Sequence, residues 1–154
     1  KTHLTSDIET ALARIDVASL LFFAGILLAV SALDHLGILN TISNVLFGEQ
    51  PGVARFVAGN ASLGILSAIL DNIPLTAAAI GILTTTDPAV WSLLAFTVGT
   101  GGSMLVIGSA AGVVAMGRVE GLTFLQYMRI ATIPTAVGYV AGIAVWYAEY
   151  TFVR

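Results

Sequence analysis

The 154-residue chain contains no cysteine, which excludes disulfides, iron–sulfur clusters and thiolate metal sites and leaves the redox compartment unmarked. Charge is scarce as well. Six Lys and Arg against nine Asp and Glu give a formal net charge of -3, with no basic cluster of the kind phosphate binding requires, so nucleic acid is excluded as a partner. No phosphate-binding loop or ATPase motif occurs; the reading is not an enzyme, and no cofactor is expected. Read from Lys1 onward, no charged leader with a short apolar core and cleavage site precedes the first apolar run. The expectation is a fragment or one piece of a longer polypeptide, with a processed terminus as the alternative.

What fills the chain instead is apolar. Hydrophobic residues make up 57% and charged residues 10%, and the mean hydropathy is +0.95. Such a composition points to an all-α integral membrane protein surrounded by lipid. Ser6-Asp7-Ile8-Glu9 has the spacing of a capping box and predicts an interfacial helix within 1–16, with Ile8, Leu12 and Ile15 on one face; an ordinary lead-in turn is the alternative. No charge interrupts Val17 to Leu33, and a span is expected over 17–34, close to the ~20 residues that cross a ~30 Å hydrocarbon layer. The stretch 36–47 is too short to cross again and is read as an interfacial helix. His35 beside Asp34 is read as a solvated boundary residue, or else as a group that titrates near neutral pH. Gly48-Glu49-Gln50-Pro51-Gly52 is a polar break.

Residues 53–83 are long enough for one tilted span, yet Asp71-Asn72-Ile73-Pro74 falls inside them. Proline removes a donor and disfavours helix in the residue before it, and such a break is tolerated in lipid only against protein or a water-filled cavity. A re-entrant hairpin with Asp71 and Asn72 at its tip is preferred to a kinked span. The next unit, 89–117, contains Gly99-Thr100-Gly101-Gly102-Ser103. Clustered glycine weakens helix by ~1 kcal/mol per residue, so two half-helices joined by an unwound turn are expected, against the alternative of close helix packing through small residues. A last span covers 131–150. With the amino terminus cytoplasmic and the carboxy terminus outside, the hairpin topology places Lys1, Arg14, Arg118 and Arg129 together on the inner side, as the positive-inside tendency favours.

A carboxylate at membrane depth costs ~2.5–3.5 kcal/mol on insertion scales and marks an ion, proton or substrate site. Asp71 is therefore the leading site candidate. Two interrupted helices in one membrane chain offer exposed helix ends to an ion. The arm ending near Leu70 is expected to bring its negative end to Asp71, which favours a cation there, and one oxygen can then hold a proton and a metal ion in alternation. A protonated aspartate bonded at a hairpin tip is the structural alternative. Hard cations prefer oxygen donors; Asn72, Ser67 and Thr76 supply them near the first break, and Thr100, Ser103 and Ser109 near the second. Pro74, Gly99, Gly101 and Gly102 are read as the backbone-breaking residues. No Lys or Arg occurs from Ala58 to Met116, which makes an organic anion the less direct substrate.

The segments Ser67-Ala68-Ile69-Leu70-Asp71-Asn72-Ile73-Pro74-Leu75-Thr76-Ala77-Ala78 and Gly99-Thr100-Gly101-Gly102-Ser103-Met104-Leu105-Val106-Ile107-Gly108-Ser109-Ala110-Ala111-Gly112 resemble the carboxy-terminal half of NhaD-type sodium/proton antiporters. These are members of an ion-transporter superfamily that also includes arsenite and dicarboxylate carriers. The resemblance implies an inverted-repeat transporter of the bacterial inner membrane that exchanges sodium or lithium for protons in pH homeostasis. It implies Ser67, Asp71, Asn72, Ser103 and Ser109 as ion-site residues, with Asp71 and Asn72 on the transported metal ion. This chain holds one re-entrant hairpin and one discontinuous helix, half of such a transporter. The amino-terminal half is then a partner, as a second chain or a missing segment, and a homodimer is compatible. The competing readings are an anion carrier of the same superfamily and a membrane assembly subunit that transports nothing.

Overall fold

A computed structural model describes residues 17–48, 52–119 and 121–153. The lead-in helix expected within 1–16 and the charged turn at 49–51 lie outside the described residues. Every regular element among the described residues is helical. The uncharged run forms α1 (Val17–His35). Gly37, at a φ of 70° that only glycine adopts freely, then turns the chain, and α2 (Ile38–Leu46) leaves at 81° to the helix before it.

Two short helices follow. α3 (Val53–Ser67) has 15 residues and α4 (Asn72–Ile82) has 11, so they measure about 22 and 16 Å. Neither is long enough to cross a ~30 Å layer. α2 lies against the open end of this pair through its apolar side: Leu39 and Phe47 are buried, Phe47 packs on Gly59 and Leu39 on Gly81. The Ser43 hydroxyl donates to the Ile82 carbonyl at 2.8 Å, and the Arg55 guanidinium to the Val45 carbonyl at 2.5 Å.

α5 (Pro88–Gly102) starts where Asp87 accepts from the Ala89 amide at 2.9 Å and Pro88 occupies the first turn, where its missing N–H leaves nothing unbonded. After a 3-10 turn at Val106–Gly108, α6 (Ala110–Arg118) begins under the Ser109 cap. A capping box formed by Thr123 and Gln126 opens α7 (Phe124–Tyr127). A π turn at Met128–Thr132 leads into α8 (Ile133–Phe152). Phe124–Phe152 is the one continuous described helix long and apolar enough to cross a membrane; Leu20–His35 and Ile38–Leu46 reach that length only as a bent pair.

α3 and α5 are the most extensively packed pair, with α8 against both. Gly64 and Gly101 make this possible, since a Cβ at Gly101 would run into the Gly64 carbonyl and one at Gly64 would lie 2.5 Å from the Thr97 carbonyl. Leu63, Leu75, Ala79, Val90, Leu94 and Val98 fill the core around them.

Two sequence expectations change here. Gly99, Gly101 and Gly102 do not break the helix; α5 runs through them to Gly102, and the interruption covers 103–109. The small size of Gly101 and Gly102 serves contact with α3, whereas Gly99 faces open space, and the packing gained against α3 outweighs the weak intrinsic helix preference of glycine. Pro74 lies in the first turn of α4 rather than in the break, a position where its missing donor goes unused. The chain between α3 and α4 is Ala68–Asp71.

Candidate ion site

The two interruptions meet. Ser67, the last residue of α3, is fully buried, and its hydroxyl donates to the Val98 carbonyl in α5 at 2.8 Å. A Cβ built on Gly102 would lie 2.9 Å from the Gly108 carbonyl, 3.1 Å from the Ser67 hydroxyl and 3.3 Å from the Asn72 Cβ. A Cβ on Gly108 would lie 2.5, 2.7 and 2.8 Å from the carbonyls of Ser67, Gly102 and Ala68. The C-terminal ends of α3 and α5 therefore come together against the start of α4 and the chain leading into α6.

Carbonyls at a helix C-terminus have no amide partner within the helix. The amides of Ala68, Ile69 and Leu70 return to Ile65 and Leu66, and those of Ser103 and Met104 return to Thr100 and Gly101. Ser67, Ala68, Gly102 and Gly108 accept no such turn or cap bond among the described residues. Two helix ends, each carrying partial negative charge, thus bring the Ser67, Ala68 and Gly102 carbonyls close around Gly108, with the Ser67 hydroxyl beside Gly102. This is a hard-donor set suited to a small cation.

Asp71 stands at the edge of this junction. It is half-buried and caps α4, one carboxylate oxygen accepting from the Ile73 amide at 2.9 Å. The sequence put the negative end of the preceding arm at Asp71, but α3 ends at Ser67, so the nearest helix end is the amide end of α4, which complements a carboxylate's charge. Asp71 also lines a cleft of about 300 Å³ between α1 and α4. Its other walls are Ile26, Ala29, Val30 and Leu33, with Leu70, Pro74, Leu75 and Ala78 opposite. Asp71 is the one charged group there.

The remaining sequence candidates divide. Asn72 opens α4 at the junction, next to Gly102. Thr76 sits one turn further on, and its hydroxyl bonds back to the Asn72 carbonyl at 2.6 Å, the usual behaviour of threonine in a helix. Thr100 is half-buried in the last turn of α5, where its carbonyl accepts the Ser103 amide. The Ser103 side chain is exposed and bonds back to Gly99 at 3.3 Å. Ser109 caps α6, accepting from the Gly112 amide at 3.1 Å. Ser67 and Asn72 are brought to the junction; Thr76, Ser103 and Ser109 spend their hydroxyls on local backbone. Asn60 escaped the sequence reading. It is fully buried, its amide donates to the Phe56 carbonyl at 2.8 Å, and its Oδ1 has no partner. As the lone amide between Arg55 and Asn72, it was visible as an anomaly.

A family model described as citrate transporter matches residues 4–101 of the chain. The chain belongs to this family. Relatives within reach of sequence comparison include sodium/proton antiporter 1 of Arabidopsis thaliana, 47% identical over 93% of this chain and 25% of its own length. Sodium/proton antiporter 2 of the same plant is 42% identical over 92% of this chain and 34% of its own length. The Na(+)/H(+) antiporter NhaD of Halomonas elongata is 40% identical over 90% and 27%. The chain thus spans between a quarter and a third of the length of these relatives. No solved structure matches it. Membership in a transporter family accords with the helical, apolar architecture, and the chain is an integral membrane protein.

Proposed function

We infer that this chain forms one half of the ion-exchange core of a sodium/proton antiporter, holding sodium or lithium where its two interrupted helices meet and releasing it against protons. The observation that carries this reading is the convergence of the C-terminal ends of α3 and α5, with the Ser67, Ala68 and Gly102 carbonyls around Gly108. The names of the relatives support the same exchange. α3 and α4, each too short to cross, serve as the arms of a re-entrant hairpin; α5 and α6 serve as the discontinuous span. An inverted second repeat from the amino-terminal half closes the cleft beside Asp71. The amino terminus of this chain is then cytoplasmic and its carboxy terminus outside, in an inner membrane of bacterial type.

Asp71 supplies the exchangeable charge. Asp71 borders an otherwise apolar cleft, where water competes little for a proton or a cation once the cleft is closed. In everted vesicles holding the complete transporter, added sodium or lithium is expected to dissipate a preset pH gradient, and Asp71→Asn is expected to abolish that response at normal expression. Unchanged exchange in the variant would reject the role. A second reading, carriage of an organic anion, has the family description on its side, but no Lys or Arg lies between Arg55 and Arg118 to pair with one. Uptake of labelled citrate without cation-dependent proton movement would favour it.

A further inference from the structure

The end of α5 is held by side chains from a distant part of the sequence. Beyond Gly102 the chain leaves the helix, so the carbonyls of Ser103 and Met104 need donors from elsewhere. The Tyr127 hydroxyl donates to Ser103 at 3.0 Å and the Thr132 hydroxyl to Met104 at 2.6 Å. In an α-helix, residues five apart point about 140° away from each other; in a π turn, whose hydrogen bonds run from i to i+5, they lie on nearly the same face. The π turn at Met128–Thr132 is therefore what lets both hydroxyls reach one strip of backbone. Pro134 explains why it forms there, since proline has no amide to give the Ile130 carbonyl and its ring crowds that oxygen.

We propose that Tyr127 and Thr132 are positioning residues for the ion site, fixing the backbone at 103–104 so that Gly108 stays seated among the Ser67, Ala68 and Gly102 carbonyls. Neither hydroxyl touches the ion. Both act through the backbone, by taking up the two carbonyls that follow the helix end and so setting the path from Gly102 to Gly108. This rests on the exchange reading above, and deepens it by naming what holds the site open.

The test uses the complete transporter in vesicles, with Thr132→Val and Tyr127→Phe as the variants and Thr132→Ser as the conservative rescue. Both hydroxyl-free variants should raise the apparent KM for sodium by about three- to tenfold, the scale of one lost hydrogen bond, with kcat nearly unchanged and an altered sodium-to-lithium ratio. Thr132→Ser should restore the parent values. Hydrogen exchange at residues 103–108, read on the same proteins, should be faster in Thr132→Val and normal in Thr132→Ser. Unchanged protection in Thr132→Val overturns the positioning claim, and so does faster exchange accompanied by parental KM and selectivity. If the parent transporter itself shows no cation-dependent proton movement, the exchange reading fails instead, while hydrogen exchange still decides whether these hydroxyls fix the break.

Discussion

One added methyl group at Gly101 has no room, because the Gly64 carbonyl, part of a helix backbone, already occupies the space. Gly101→Ala is expected to cost about 1–3 kcal/mol through overpacking, read as a lower thermal midpoint in detergent. Gly138, which faces open space, provides the control, since Gly138→Ala adds helix preference of up to about 1 kcal/mol and no clash. Asn60 makes the opposite case. Its buried Oδ1 has no partner, and an orphaned acceptor is costly where an apolar group of similar shape is not. Asn60→Leu is therefore expected to hold or raise the midpoint, with a stability gain of up to about 2 kcal/mol. Asp71 stood out in the sequence because a lone carboxylate in an apolar run is expensive. Asn60 was passed over because an amide costs less and announces itself less.

Helix α8 and the π turn leading into it work as a frame for the short helices beside them. Three side chains reach three separate places on the backbone: from α8, Tyr139 donates to Ala61 at 2.7 Å and Trp146 to Ala89 at 2.9 Å, and from the π turn Thr132 donates to Met104 at 2.6 Å. Tyr150 adds a bond to the Asp87 carboxylate at 2.8 Å and stacks on Trp146 with ring centroids 4.8 Å apart. Tyr139→Phe is expected to lower stability by about 0.5–1.5 kcal/mol, one net hydrogen bond, without moving the sodium dependence of exchange; thermal unfolding and vesicle assays check the two halves of that statement. The break between α3 and α4 was readable because Asp-Asn-Ile-Pro is a helix start as well as an interruption. The place where α5 ends was not, because glycine's weak helix preference is a property of isolated chain, and contact with Gly64 reverses its sign. Nor did any local pattern announce the π turn, which depends on Pro134 acting on a residue four positions back.

Much of the apolar surface of the described residues lies open. Leu21, Leu27 and Leu28 on α1 and Ile133, Val137 and Val140 on α8 are each more than half exposed, in keeping with lipid or further protein around them. The cleft beside Asp71 is likewise open on one side, so a cation there would meet no barrier to leakage or rehydration. Reconstituted by itself, the chain is expected to leave a preset pH gradient unchanged on addition of sodium, and co-expression with the amino-terminal half is expected to restore the response. A fluorescent gradient assay on both preparations checks this.

The long helix Phe124–Phe152 has 29 residues, about 43 Å by helical rise, against a hydrocarbon slab of ~30 Å. It must lean or protrude to fit. Since Thr132 and Trp146 fasten it near the two ends of α5, any change in its lean is passed to the short helix strapped alongside. The acyl-chain length of the surrounding lipid would thereby act as a mechanical input on the spacing between Gly102 and Ser67, without any ligand being added.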